Sequence, residues 1–177
     1  MSKGPVAIII RPEGPADYEA VSRAVADAFG RENEARLVER MRDTPNYLPE
    51  LSLVAEEDGA IAGHVMFTYV TLDDDARGIL CLAPLSVTPK RQKDGIGGAL
   101  IKEGAARADA LGEPLVVLVG HPAYYPRFGF EPARPLGLEP PPGTHDAVFM
   151  ALRLSKYDSS VRGHVSWPAV FEETGTA

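Results

Sequence analysis

The chain has a single cysteine, Cys81, in 177 residues, so no intramolecular disulfide framework is possible. Its four histidines, His64, His121, His145 and His164, are scattered without the spacing of a metal site. No apolar run approaches the ~20 residues needed to cross a bilayer, and the one nearest the start is cut at Arg11. Positive charge is in deficit: 18 Lys and Arg against 25 Asp and Glu give a formal charge of −7, which disfavours non-specific nucleic-acid binding. These shortages lead to the expectation of a cytoplasmic protein with no metal, no membrane association and no nucleic-acid partner. What the chain holds in abundance is punctuation, 17 Gly and 16 Pro, which predicts many short elements joined by turns. Apolar residues at 45% and charged residues at 24% are ordinary globular composition. The length suits one domain, 1–177, with a core over 1–155 and a C-terminal extension over 156–177 that packs on it.

Hydrophobic patterning divides the chain into alternating elements. A β-branched first strand over 6–10 is stopped by Arg11-Pro12. Pro15 opens a helix whose apolar residues Tyr18, Val21, Val25 and Phe29 recur at helical spacing, and Gly30 is placed to end it. A second amphipathic helix over 31–42 is broken by Pro45 and Pro49. Strands over 51–56 and 61–72 flank Asp58-Gly59, a strong hairpin signal. After the acidic turn Asp73-Asp74-Asp75 comes a fourth strand over 79–88, then a helix over about 95–111. The run Leu115-Val116-Val117-Leu118-Val119 reads as a buried strand paired on both sides. A short helix over about 122–128, a proline-rich loop and a last strand near 147–154 complete the order β-α-α-β-β-β-α-β-α-β. The fold class is α/β (α+β), a mixed sheet with helices on both faces.

Two local features point to a ligand. Pro84 lies inside the fourth strand, where it cannot donate to a ladder. Either two short strands meet at a kink, or a bulge turns this strand away from the fifth and leaves backbone groups free for an extended ligand with amides. The second feature, Pro89-Lys90-Arg91-Gln92-Lys93-Asp94-Gly95-Ile96-Gly97-Gly98-Ala99-Leu100, follows directly. Glycines stand where a strand hands over to a helix, so free N–H groups and the positive end of the helix dipole converge on a site for phosphate or pyrophosphate. Leu100 stands where a dinucleotide fingerprint needs its third glycine, and the Gly-Lys-Ser/Thr of a Walker loop is missing.

Taken together these residues resemble a known family. Gln92-Lys93-Asp94-Gly95-Ile96-Gly97 is similar to the Q/R-x-x-G-x-G/A acetyl-CoA motif of the GNAT N-acetyltransferases. Val119-Gly120-His121-Pro122-Ala123-Tyr124-Tyr125-Pro126-Arg127-Phe128-Gly129-Phe130 resembles the family's later strand and short helix, with a tyrosine four residues before the glycine of Gly-Phe. Ser52-Leu53-Val54-Ala55-Glu56, Gly63-His64-Val65, Ala83-Pro84-Leu85-Ser86-Val87 and Ser166-Trp167-Pro168-Ala169-Val170-Phe171 extend the resemblance to the YhbS-like subgroup. It implies a mostly antiparallel central sheet splayed between strands 4 and 5, with acetyl-CoA as co-substrate in the cleft. The implied cofactor site comprises Leu85, Ser86 and Val87, whose strand would pair with pantetheine amides. It continues through Gln92, Lys93, Asp94, Gly95, Ile96, Gly97, Gly98 and Ala99 around the pyrophosphate. Lys93 stands where the subgroup usually has glycine, and His121 where it tends to have aspartate. The family habit also makes a homodimer an expectation.

The implied reaction is acetyl transfer to a small-molecule or peptide amine by direct attack in a ternary complex. A lysine-like amine with pKa ~10.4 is neutral in about one molecule in a few thousand at pH 7, so a base or desolvation must help. Tyr125 is the candidate donor to the departing thiolate, and Tyr124 reads as a wall residue. No Asp or Glu occurs in the fourth strand, which leaves His121 as the candidate base and Glu56 and His64 as weaker ones. Cys81 reads as a small buried hydrophobe. On the acceptor side the chain offers Glu32, Glu34, the 73–75 acidic run and Trp167-Pro168. Two other readings remain open: a non-catalytic acyl-CoA binding or sensor module, and a nucleotide-binding fold using the same glycines.

Overall fold

The computed structural model describes residues 7–177; Val6, placed in the first predicted strand, lies outside them. Strand β1, Ile9–Pro12, runs through the expected Arg11-Pro12 stop. Among the described residues it is an edge strand paired only with β2, so the N–H that proline lacks is not missed there. A 3-10 turn at Pro15–Asp17 leads into α1, Tyr18–Phe29, which ends at Gly30 with φ +69°. Helix α2, Asn33–Met41, buries Ala35, Leu37, Val38 and Met41. Strands β2, Ser52–Glu57, and β3, Ala60–Leu72, are joined at Asp58 and Gly59 with φ of +51° and +76°, the hairpin geometry that Asp-Gly favours.

Strand β4, Asp75–Val87, starts four residues before its apolar pattern does, because Leu72 pairs with Asp75 across a tight turn and the exposed end of the hairpin carries no hydrophobic signal. Helix α3, Ile96–Ala110, and strand β5, Leu115–Val119, match their expected positions. The short helix after β5 is only a 3-10 turn, Tyr125–Phe128, ending at Gly129 with φ +94°. The proline-rich stretch read as loop holds two-residue strands β6, Glu131–Pro132, and β7, Leu138–Glu139, before β8, Phe149–Arg153. The closing segment adds β9, Gly163–Ser166, paired with β3 and β7, and α4, Ala169–Glu173, whose Val170 and Phe171 enter the core. No helix among the described residues is long and apolar enough to cross a membrane.

The sheet runs β1-β2-β3-β4-β5-β8-β6 and is mostly antiparallel, with parallel pairing between β4 and β5 and in the short β7–β9 contact. Strand alternation sorts the core onto two faces. Leu53, Val65, Phe67, Leu82, Val116 and Leu118 pack with Ile96, Leu100 and Ile101 of α3. Val54 and Met66 face the other way, onto Val21 and Val25 of α1 and Leu37, Val38 and Met41 of α2.

The decisive irregularity lies in β4. Val65 pairs with Leu85 but Phe67 pairs with Leu82, so Met66 of β3 faces two residues, Ala83 and Pro84. That is the bulge Pro84 signalled. Beside it the β4–β5 ladder consists of Leu80↔Val116 and Cys81↔Val117 alone, although β4 continues to Val87 and β5 to Val119. The fifth strand is therefore paired on both sides only at its start, and Val119 at its end is 46% exposed. Helix α3 is seated against this region through glycines. A Cβ at Gly63 would lie 3.1 Å from both Ile96 and Leu100, and one at Gly104 only 2.1 Å from the buried Phe67 ring. Gly104→Ala gains helix propensity of about 1 kcal/mol, yet the buried ring cannot yield without overpacking. The net expectation is a loss of stability of about 1–2 kcal/mol, read as a lower urea midpoint and eased by adding Phe67→Leu.

Candidate active site

Between the parted strands and the first turn of α3 opens a cleft of about 780 Å³, within the range of small-molecule sites. Leu85 and Val87 of β4 line one wall, the 95–99 backbone and Lys102 another, and Tyr124, Arg127 and Phe128 a third. The polar edge of β4 can be oriented from its ladder. Thr88 N–H donates to Ala62 O on the β3 side, and backbone groups alternate sides along a strand. Ser86 therefore turns its N–H and C=O toward β3, and Leu85 and Val87 turn theirs toward the side that β5 has left. Gln92 Nε2 donates to Val87 O at 3.1 Å, closing the end of this edge. Leu85 N–H and C=O and Val87 N–H remain for an extended ligand.

The glycine loop has the geometry of an anion cradle. Gly95, with φ +84°, precedes the first helical residue of α3, and Lys93 has φ +68°. The left-handed conformation thus falls on a lysine where the resembling subgroup has glycine, at a cost of about 1–2 kcal/mol. A Cβ at Gly97 would stand 3.2 Å from the Tyr124 hydroxyl, inside the cleft, and one at Gly98 would stand 3.0 Å from the Phe128 ring. Gly97 keeps the space clear and Gly98 lets the 3-10 turn pack on α3. Arg91, Lys93, Lys102 and Arg127 make the lining basic in a protein of net charge −7. Asp94 does not line the cleft; it is exposed and ion-paired with Arg91 at 3.0 Å, and Arg91 also pairs with Glu57 at 2.9 Å. Ser86 does not line it either, since its side chain is buried on the opposite face.

Tyr125 is more buried than Tyr124 and stands behind it, outside the residues that line the cleft. Its ring packs edge-on against Tyr124 and Phe130 and so close to Gly120 that a Cβ there would lie 2.4 Å away. Burial first, then Tyr124 and Cys81, push its pKa up to about 12, so the phenol stays protonated. Its hydroxyl makes no hydrogen bond to any described residue. Cys81, where the two strands part, is fully buried and its thiol is pushed up to about 12 by that burial, as expected of a packed hydrophobe. His121 is exposed and its Nδ1 accepts the Ala123 N–H at 3.2 Å, so the structure places it as a cap on the turn, outside the cleft lining. Glu56 is bound to Arg11 at 2.8 Å, and Glu34 to Arg31. Asp73 accepts the His164 N–H at 2.9 Å and so ties β9 to the β3–β4 turn. Trp167 stacks on Phe171.

Two lining cations, Lys102 and Arg127, escaped the sequence reading. Lys102 lies four residues after Gly98 on one face of α3, a spacing that in principle marks it. Arg127 rests 4.8 Å from the Tyr124 ring centroid and donates to Tyr124 O, a placement that no local pattern announces. No group of three or more His, Cys, Asp or Glu that could hold a metal ion occurs among the described residues.

Comparison with known proteins agrees with this geometry. Residues 9–133 match the family described as "Acetyltransferase (GNAT) domain". The chain is 36% identical over 155 residues to the uncharacterized N-acetyltransferase YjhQ of Escherichia coli K12, covering 84% of this chain and 86% of that protein. The crystal structure of the GNAT family N-acetyltransferase YhbS from Escherichia coli, in complex with CoA, superposes with a TM-score of 0.87 at 31% identity, over 97% of this chain and 96% of the other. A GNAT family acetyltransferase from Brucella melitensis in complex with acetyl-CoA gives 0.77 at 33% identity, over 93% and 98%. With its sheet parted beside a bulge, its glycine cradle and its sequence kinship, this chain belongs to the GNAT acetyltransferase family.

Proposed function

We propose that the chain transfers an acetyl group from acetyl-CoA to an amine acceptor by direct attack in a ternary complex. One observation carries the reading: the unpaired polar edge of β4 at Leu85 and Val87, leading into a glycine cradle among four basic side chains. An extended chain bearing amides and ending in phosphates complements that surface along its whole length. The CoA and acetyl-CoA complexes of the two related structures support the same occupant.

In this reading Leu85 and Val87 align the pantetheine arm, and the N–H groups at the start of α3 with Lys93, Lys102 and Arg127 hold the phosphates. Tyr125 steadies the departing sulfur. A phenol held near pKa 12 is a poor full acid toward a thiolate of pKa ~8.5, so its contribution is a hydrogen bond that strengthens as charge gathers on sulfur. The second reading, an acyl-CoA sensor without turnover, is favoured by one feature: among the described lining residues there is no carboxylate and no imidazole.

The two separate in one assay, release of free thiol from acetyl-CoA with a panel of amines and peptides. Turnover with any of them is expected; binding of acetyl-CoA with no turnover of any amine selects the sensor. Tyr125→Phe is expected to lower kcat at least tenfold while the acetyl-CoA Kd, measured by calorimetry, stays within about twofold. Because the folded pKa of Tyr125 lies above its ordinary value of 10, its protonated form contributes full stability below pH 10 and loses it as pH rises through about 12. The rate should therefore show no alkaline fall from Tyr125 up to about pH 10. Lys93→Gly relieves a left-handed lysine but frees the unfolded chain, so stability should change by less than about 1 kcal/mol. Its CoA affinity should fall roughly three- to tenfold at low salt, and less at high salt.

A further inference from the structure

The third wall of the cleft carries a hydroxyl that the scheme above leaves unused. Among the described lining residues, Tyr124 is the only one that has such a group. A single point above Gly97, where a Cβ would stand, lies 3.2 Å from the Tyr124 hydroxyl, 3.6 Å from a Val87 methyl and 3.8 Å from a Leu85 methyl. The phenol therefore reaches over the first turn of α3 toward the two residues of β4 whose backbone groups are free.

Its aim is fixed by its neighbours. The ring meets Tyr125 edge-on with centroids 5.1 Å apart, and Phe128 edge-on at 5.3 Å. Arg127 lies 4.8 Å from the ring centroid and donates to the Tyr124 carbonyl at 3.0 Å. The hydroxyl itself makes no hydrogen bond to a described residue. Burial raises its pKa above the ordinary phenol value, with Arg127 pulling the other way, so it keeps its proton at neutral pH and can both donate and accept.

A ligand stretched along β4 needs such a group. A planar trans amide turns its N–H and its C=O to opposite sides. An amide whose N–H meets the Leu85 carbonyl therefore points its own carbonyl away from the strand. Across the cleft, β5 contributes no described residue to the lining. Phe128 has no polar side-chain atom, and Arg127 is already engaged with the ring and carbonyl of Tyr124. Without a partner there, the outward-facing carbonyl would give up its bond to water with nothing in exchange.

We propose that the Tyr124 hydroxyl is the second anchor of the cofactor arm, donating to the pantetheine amide carbonyl that faces away from β4. The inference rests on the acetyl-CoA reading of the cleft and gives adjacent tyrosines separate tasks. Tyr125 acts on sulfur as charge develops there, whereas Tyr124 holds the arm equally in the ground and transition states. Losing the Tyr124 hydroxyl weakens the grip on the cofactor and leaves the chemical step alone.

Tyr124→Phe removes the hydroxyl and keeps the ring packing, and two ligands locate the loss. Calorimetry with CoA, which carries the arm, should show affinity falling roughly three- to tenfold, the span of one neutral hydrogen bond. Adenosine 3′,5′-bisphosphate, which has phosphates but no arm, should bind within about twofold of wild type. With an amine from the thiol-release panel, KM for acetyl-CoA should rise by a similar factor while kcat stays within about twofold, the reverse of the pattern for Tyr125→Phe. Equal loss of both ligands would place the hydroxyl at the phosphates, and undiminished CoA binding would leave it without a ligand. Either result overturns the assignment, as does a fall in kcat with KM unchanged. If the wild-type protein binds CoA yet turns over no amine, the transfer reading fails while the calorimetric comparison still decides the role of Tyr124.

Discussion

The molecule is organised around a strand that keeps one neighbour and gives up the other. β4 remains paired with β3 through Val87↔Gly63, while its ladder with β5 stops at Cys81↔Val117. The extra residue at Ala83-Pro84 bends the strand, and a proline in the bulge has no N–H to miss. Backbone groups released in this way carry a desolvation cost unless something pairs with them, so the fold sets aside a line of donors and acceptors for a ligand. The position of α3 depends on the same strand, since its first turn rests on Gly63 and its middle on the Phe67 ring. The anion cradle and the free edge are thus fixed relative to one another before any ligand arrives.

The opposite face obeys a different economy. Glu13 and Arg42 are an ion pair almost without solvent contact, and burying such a pair brings little net stability by itself. Its worth lies in specificity of arrangement: one carboxylate gathers donors from the end of α2, from Tyr47 and from β2, and the buried His64 ring stands 3.1 Å from the same Ser52 hydroxyl. Removing either charge would strand the other, so the cluster is robust only as a whole.

Much of this architecture is legible in the residues. Strand alternation, the Asp-Gly hairpin and the glycines that end α1 and begin α3 are local signals, and they land where they should. Pro84 is the clearest case, because a residue that cannot sit in a central ladder announces a break in one. What stays hidden is set by contacts between distant parts of the chain. Glu13 meets Ser52 across 39 residues and Arg42 across 29, and no periodicity encodes either. The β9 strand has four residues, and only its pairing with β3 and β7 makes it a strand. Asp73 reads as one charge in a solvated acidic run, whereas its carboxylate anchors that same strand. His121 reads in the sequence as a candidate base, and the structure uses its ring to close a turn.

The basic lining of the cleft sits in a molecule whose total charge is −7, so the remaining surface is more acidic still. Such a molecule sorts arrivals by sign. A polyanion drifting nearby is repelled by most of the exterior and drawn along field lines that converge on one mouth, whereas a cation gathers everywhere else. Reactants of opposite charge would then not compete for the same entrance, and the dominance of this sorting would fade as dissolved ions shorten the reach of the field.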